Sequence, residues 1–210
     1  MNIPFRVKES QYVYPPSEDT WFLSDILIDF CQNSFCPPSS LICELGVGTG
    51  YISIALGLKF PQFQFIGIDI SQKAIFLSSS NMKRFLMGHK HSLICTNLFD
   101  CLNPLIFKPY IIFFNPPYVI SSKIEQQMVN PEVYRTWSGG PDGIRIIVKF
   151  LEELHRIQFK YGFFITSSRN KNELLNDLFI DNLLLQIIAE RQLPDEKLIC
   201  YQVIRKKGNF

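Results

Sequence analysis

The sequence predicts an α/β fold: a doubly wound, mostly parallel sheet of seven strands that ends in an antiparallel hairpin. Three observations predict it. Short apolar runs alternate with segments whose apolar residues recur at helical spacing, the pattern of β–α–β units with right-handed crossovers. A glycine-rich turn, Gly46-Val-Gly48-Thr-Gly50, follows the first apolar run directly. Near the carboxyl end, the runs 183–192 and 198–205 are separated only by a Pro-Asp turn, too short for a crossover, so they are expected to pair antiparallel.

In order along the chain, residues 1–11 are mixed in character and predicted to be extended. Pro15 and Pro16 forbid a helix before Ser17. Ser17 is a good N-cap, and Glu18 and Asp19 in the first turn favour the helix dipole. Phe22, Leu23, Ile26, Leu27 and Phe30 carry the helical spacing to about Cys31, and Pro37 and Pro38 mark a loop. Strands are predicted over 41–45, 63–69, 92–96 and 110–115, with helices after the first two. Segment 119–142 shows neither periodicity and predicts a long loop, a feature that compact domains reserve for function. A helix over 144–159, with Ile147, Phe150, Leu151, Leu154 and Ile157 on one face, then precedes a strand over 162–166 and a helix over 173–180. At 210 residues one domain, 1–210, is the expected count, with room for a substantial core.

Composition narrows the partners. A hydrophobic fraction of 47 % with 19 Phe implies a dense core or an apolar patch that a partner covers. The net charge of +2 comes from scattered basic residues, which argues against a broad nucleic-acid footprint; Arg205-Lys206-Lys207 reads as a solvated tail. Six cysteines form no C-x-x-C pair and mostly have apolar neighbours, so they read as buried free thiols in a reducing compartment. Three histidines without a second cluster of ligands argue against a metal site. No secretory pattern begins the chain and no apolar run approaches the ~20 residues of a membrane span, which predicts a cytoplasmic protein, with the nucleus as a second compartment.

Two stretches carry chemistry. Ile111-Ile-Phe-Phe114 is a fully apolar run, read as a strand buried on both faces, and it stops at once in Asn115-Pro116-Pro117-Tyr118. Asn115 is thereby held at the carboxyl end of a central strand, where open α/β sheets bind ligands. Asn115 and the Pro116 carbonyl offer two acceptors and Tyr118 a flat ring, a set that suits a planar NH2 group. In the loop Glu44-Leu-Gly46-Val-Gly48-Thr-Gly50 the glycines let the backbone approach a ligand. The spacing is G-x-G-x-G rather than the G-x-G-x-x-G of a pyrophosphate site, and Glu44 would repel a pyrophosphate but suits an ammonium or sulfonium. Asp69 ends the second strand as a carboxylate after an apolar run; the plainer reading makes it the cap of the next helix, a task Ser71 can also perform.

The Asn-Pro-Pro-Tyr tetrapeptide resembles the signature of methyltransferases that modify exocyclic or amide nitrogens with S-adenosyl-L-methionine (SAM), leaving S-adenosyl-L-homocysteine. Together with Tyr14-Pro-Pro-Ser-Glu-Asp-Thr20, Glu44 to Gly50 and Trp137-Ser-Gly-Gly-Pro-Asp-Gly143, in this order and spacing, nearly the whole chain resembles the release-factor glutamine methyltransferases. It looks like their short eukaryotic and archaeal type, without the extra helical domain of the bacterial members. The resemblance implies a Rossmann-like class I methyltransferase fold in which segment 1–33 covers the cofactor. It implies that Thr20, Glu44, Gly46, Gly48, Asp69 and Asn115 bind SAM, with Asp69 on the ribose hydroxyls and Asn97-Leu98 at the adenine. Many relatives have Asp where Asn97 stands; Asn97 can still accept through its carbonyl, more weakly.

The implied substrate is the glutamine of the Gly-Gly-Gln loop of a class 1 translation termination factor, with or without its GTPase companion. An implied partner is a small zinc-binding activator, giving a heterodimer. Asn115, Pro116 and Tyr118 would be catalytic, and Pro117 and Trp137 would join them in binding substrate. Asn115 is no base, so its oxygen and the Pro116 carbonyl are expected to accept the two amide hydrogens and aim the nitrogen at the methyl. Lysine, the residue methylated in the alternative histone reading, must first lose a proton, and nothing in Asn-Pro-Pro-Tyr takes it. Adenine N6 ranks lower still, for want of positive charge and of a target-recognition domain.

Overall fold

The computed structural model describes residues 5–122, 124, 134, 136–175 and 182–206. In chain order they form α1 (Glu18–Asn33), β1 (Leu41–Leu45), α2 (Tyr51–Lys59), β2 (Gln64–Asp69), α3 (Gln72–Arg84), β3 (His91–Cys95), β4 (Ile111–Phe114), β5 (Val119–Ile120), β6 (Ser138–Gly140), α4 (Arg145–Leu154), β7 (Tyr161–Ser167), a 3-10 turn (Asn172–Leu175), β8 (Leu183–Gln192) and β9 (Lys197–Arg205).

Seven strands make one sheet in the order β3-β2-β1-β4-β7-β9-β8. The first five pair in parallel; β9 runs antiparallel between β7 and β8. The chain steps outward from β1 through β2 to β3, then returns to the other side of β1 as β4. The sheet's order therefore reverses between β1 and β4, and a crevice opens at their carboxyl ends. Leu45 and Phe114 are register partners there, so the glycine turn and Asn115 leave the sheet side by side.

Strand β4 shows why the sheet is central. Its four residues are all buried and alternate between two cores. Ile112 and Phe114 face Ile147, Phe150, Leu151 and Leu154 of α4, whereas Ile111 and Phe113 face Phe22, Leu23 and Leu27 of α1 and Ile52 and Leu56 of α2. Burying one such aromatic contributes about 1.5–3 kcal/mol. Pro116 then ends the ladder.

Several expectations need correction. The segment expected to be a featureless loop over 119–142 contains β5 and β6, which pair in parallel as a separate ribbon, with Ser121 N–H donating to Gly140 O at 3.0 Å. Strands of two and three residues, one of them Ser-Gly-Gly, are too short to show a period. Residues 123, 125–133 and 135 of that segment lie outside the described residues, as do 176–180 of the helix expected over 173–180; its described part is the 3-10 turn. The helix expected to reach 159 ends at Leu154. Arg205 is not part of a solvated tail: it belongs to β9, and its guanidinium donates to the carbonyls of Leu154, His155 and Ile157, satisfying the open end of α4. The six cysteines stand as free thiols, but Cys95 and Cys101 are exposed, because β3 is the sheet edge and Cys101 sits in a turn. No described helix is long and apolar enough to cross a membrane.

Candidate active site

Asn115 leaves β4 at the crevice with its amide in a defined orientation. Its Nδ2 donates to Asp19 Oδ2 at 3.2 Å and to Thr20 Oγ1 at 3.5 Å. Its Oδ1 is buried with no hydrogen-bond partner. Buried acceptors are nearly always satisfied, and an orphan of this kind costs about 1–3 kcal/mol unless a ligand satisfies it. Pro116 is buried, and Tyr118 is 8 % exposed with its ring packed in the core that α1 shares with the sheet. The Tyr118 hydroxyl donates to Asp19 Oδ2 at 3.3 Å. Burial first, and the Asp19 carboxylate second, push the phenol well above its ordinary range, so it remains a donor.

Asp19 and Thr20 arrive from the first turn of α1. Ser17 is the N-cap, as expected, and its N–H donates to Thr20 Oγ1 at 3.3 Å. The two prolines before Ser17 prevent an earlier start, so the helix begins where Asp19 and Thr20 reach across 95 and more residues of sequence to Asn115.

The glycine turn is the opposite wall. Gly46, Gly48 and Gly50 all have positive φ. A Cβ on Gly46 would stand 3.0 Å from the Phe114 ring, so only glycine lets this turn lie against the end of β4. Asp69 Oδ2 accepts from Gly48 N–H at 3.0 Å and Oδ1 from Ser71 N–H at 2.8 Å, which ties the end of β2 to the turn. Ser71 is the N-cap of α3, as its sequence position suggested. Burial raises the Asp69 carboxyl above its ordinary range, against the lowering effect of these N–H groups.

Glu44 is buried on β1, and one carboxylate oxygen accepts from Ser53 N–H at 3.1 Å and Ser53 Oγ–H at 2.5 Å, inside the first turn of α2. Burial pushes it up to about 8, opposed by both Ser53 bonds and assisted by Asp69. The folded protein thus prefers a protonated Glu44. This contribution to stability is complete below the ordinary value of 4.5 and is lost as pH rises through about 8. The expected result is a ligand-free unfolding free energy that declines across that window, by up to ~1.4 kcal/mol per pH unit. Glu44→Gln should remove this component; equal slopes in wild type and variant, by calorimetry from pH 5 to 8.5, would refute it.

A strap of residues 5–13 crosses the glycine turn. The fully buried Asn81 of α3 accepts from Lys8 N–H at 2.7 Å through Oδ1 and donates through Nδ2 to Lys8 O and to Thr49 O, so one side chain ties strap to turn. Val13 lies 3.8 Å from where a Cβ on Gly48 would be. Beside the strap a cleft of about 480 Å³ opens between residues 9–15 and Trp137, whose ring meets Tyr134 edge-on at 5.2 Å.

The sequence-predicted residues gather at the carboxyl ends of β1, β2 and β4: Asp69 is tied to the Gly48 backbone, Asn115 to Thr20, and Gly46 lies against Phe114, whereas Pro116 and Tyr118 are buried in the turn after β4. Glu44 is buried on β1. Asn97 is exposed beyond β3 and donates to Asp100 at 3.1 Å, which turns its carbonyl away from Asp100; Leu98 follows with φ +45. Asp19 was read only as a helix-dipole residue, although it stands in the Pro-Pro-Ser-Glu-Asp-Thr motif. Asn170, in the turn after β7, donates to Tyr118 O at 2.7 Å and supports the turn from behind. Nothing in the sequence marks Asn170 or Asn81, whose partners are backbone atoms remote in the chain.

The family model "Methyltransferase small domain" matches residues 22–139. A Methanocaldococcus jannaschii protein, "Putative protein N5-glutamine methyltransferase MJ0928", is 30 % identical over 197 residues, covering 92 % of each chain. The release factor glutamine methyltransferases of Thermodesulfovibrio yellowstonii and Rhodopirellula baltica are 29 % and 28 % identical over 75 % and 72 % of this chain. The chain spans 56 % and 52 % of those two bacterial proteins, about half their length. Among solved structures, M. capricolum TrmK, in complex with S-adenosyl-homocysteine, superposes with a TM-score of 0.62 at 15 % identity, covering 89 % of this chain and 69 % of TrmK. A human methyltransferase 10 domain containing protein superposes at 0.63 and 10 % identity, covering 93 % and 86 %. At such identities the likeness is one of fold, and it is the Rossmann-like fold with a mostly parallel seven-stranded sheet. The matched segment 22–139 runs from α1 past the glycine turn and Asn115 to β6, and with the archaeal relative aligned almost end to end, the chain belongs to the methyltransferase small domain family.

Proposed function

We propose that the protein transfers a methyl group from SAM to the side-chain nitrogen of a glutamine, and that this glutamine lies in the Gly-Gly-Gln loop of a class 1 translation termination factor. The observation that carries the reading is the buried, unpartnered Oδ1 of Asn115 at the carboxyl end of β4. An acceptor held open there needs an N–H donor, and a carboxamide NH2 supplies one without first losing a proton. The relatives named as glutamine methyltransferases support the choice of substrate.

The residues present fit SAM. Asp69 would hold the ribose, the Gly46 and Gly48 backbone with Glu44 the methionine end, Asn97 and Leu98 the adenine, and Thr20 and Asn115 the region beside the sulfonium. SAM supplies an electrophilic methyl group. Asn115 Oδ1 and the Pro116 carbonyl accept the two amide hydrogens and so orient the nitrogen lone pair. As positive charge develops on that nitrogen both acceptors hold it more tightly, which lowers the barrier, and the proton that the methylated amide gives up would pass to water. Tyr118 and Pro117 fix the turn, and Trp137 borders the cleft through which a peptide loop enters. In the same reading segment 5–33 is the cofactor cover, because its strap and the first turn of α1 both touch the crevice.

The reading includes a small zinc-binding activator as heterodimer partner. Its support is the free edge of the sheet at β3, where Ile70 is 56 % and Phe76 67 % exposed, and where Cys95 Sγ lies 3.7 Å from Ile70 O. The test is incubation of the protein, with and without a co-expressed activator, with labelled SAM and a recombinant termination factor, followed by mass mapping. One methyl on the Gly-Gly-Gln glutamine is the expected result. Label confined to lysine, or to nucleic acid, would overturn the substrate assignment.

A further inference from the structure

Asp19 takes part in more hydrogen bonds than capping a helix needs. It is 6 % exposed. Oδ1 accepts from Thr20 N–H at 2.7 Å, Ser17 Oγ–H at 2.5 Å and Thr20 Oγ1–H at 3.3 Å. Oδ2 faces the other way and accepts from Asn115 Nδ2 at 3.2 Å and Tyr118 OH at 3.3 Å. The carboxylate therefore joins the start of α1 to both polar side chains of the Asn115–Tyr118 turn.

An asparagine amide has two faces of opposite character, and a half-turn about its last torsion exchanges them at little steric cost. In one orientation Asn115 would offer the crevice an acceptor; in the other, a pair of donors that repel an incoming N–H. A carboxylate only accepts, so Asp19 Oδ2 admits the amide with Nδ2 towards it and turns Oδ1 away. The unpartnered Oδ1 is the independent sign that the orientation is enforced, since a free amide would rotate to satisfy its buried oxygen. The Tyr118 hydroxyl on the same oxygen keeps the carboxylate from swinging out of line. Its pair of acceptors then sees a substrate NH2, not a carbonyl.

We propose that Asp19 is a positioning residue that sets the donor–acceptor polarity of Asn115, so that the site selects a substrate presenting N–H. The proposal rests on the glutamine reading for its substrate, though not for the hold on Asn115 itself.

The test uses the full chain in Asp19→Asn, a near-isosteric change whose amide can pair with either face of Asn115. In wild type the Asn115 side-chain NH2, assigned by its disappearance in Asn115→Ala, should resonate as a hydrogen-bonded pair with slowed solvent exchange; in Asp19→Asn it should lose that protection. Turnover should fall about 10²-fold, with SAM affinity within about threefold and KM nearly unchanged. Asp19→Asn placed on Asn115→Ala should cost little more than Asn115→Ala alone, because Asp19 acts through Asn115. Glu18→Gln, which removes a charge from the same helix start without touching Asn115, should leave the Asn115 NH2 signal protected as in wild type and control for the helix dipole. An unchanged Asn115 NH2 signal in Asp19→Asn overturns the proposal whatever the substrate, as do multiplicative losses in the double variant. A wild type that leaves glutamine unmodified while the NH2 signal responds as expected overturns the substrate reading alone and supports the hold on Asn115.

Discussion

Asn115→Ala should lower single-turnover methyl transfer to glutamine by about 10³-fold while SAM binds within about threefold of wild type. The asymmetry follows from what the side chain touches. Its Nδ2 is engaged by Asp19 and Thr20, which leaves Oδ1 as the polar atom of the side chain without a partner. In the proposed reading the ribose and methionine ends of the cofactor fall to Asp69, Glu44 and the glycine turn, which the substitution does not touch. Loss of the acceptor removes an interaction that strengthens as the amide nitrogen gains positive charge, and a group of that kind appears in kcat rather than in ground-state affinity. A rapid-quench rate and an equilibrium titration on the same preparation decide it. A variant that binds SAM and retains most of its turnover would remove Asn115 from the chemistry.

Gly143→Ala should destabilise the fold by about 2–5 kcal/mol, from ~1–2 kcal/mol for a left-handed backbone with a Cβ and ~1–3 kcal/mol for a broken buried hydrogen bond. Gly143 has φ +74, and a Cβ there would lie 1.9 Å from Asn170 Nδ2 and 2.8 Å from Tyr118 O. Asn170 cannot retreat freely, since Oδ1 accepts from Ser167 N–H at 2.8 Å while Nδ2 donates to Tyr118 O at 2.7 Å. The Trp137–Gly143 stretch therefore acts on the Asn115–Tyr118 turn from behind: glycine is required there so that Asn170 can seat the Tyr118 carbonyl. Urea denaturation measures the cost. Asn170→Ala in the same background removes the obstructing atom, so the two losses should be less than additive; full additivity would mean that Gly143 and Asn170 do not share this seam.

Much of this was legible in the chain itself. An apolar tetrapeptide halted by Pro-Pro can only be a buried strand that ends there, and β4 closes at Phe114, one residue before Asn115. The glycine turn was equally plain, because three glycines at alternate positions after an apolar run have few uses other than a tight turn. The doubly wound parallel sheet followed from the alternation of periods, and the antiparallel hairpin from a link too short for a crossover. The parallel ribbon of β5 and β6 stayed hidden because its strands are shorter than any period. Arg205 departs from its expected place for a related reason: its position in a basic cluster is a local fact, whereas its acceptors at the end of α4 are 48 and more residues away, with Arg205 N–H groups donating to Leu154 O and Ile157 O at 3.1 Å each.

By itself, then, the sequence determined the segments that form the seven-stranded sheet and that an asparagine would stand at the carboxyl end of a central strand, since these depend on period, chain stiffness and the length of links. Only the tertiary structure decided which face of that asparagine is presented. The answer depends on a carboxylate from α1, 96 residues away in sequence, lying 3.2 Å from its amide nitrogen, and a hydrogen bond between remote side chains leaves no trace in local pattern.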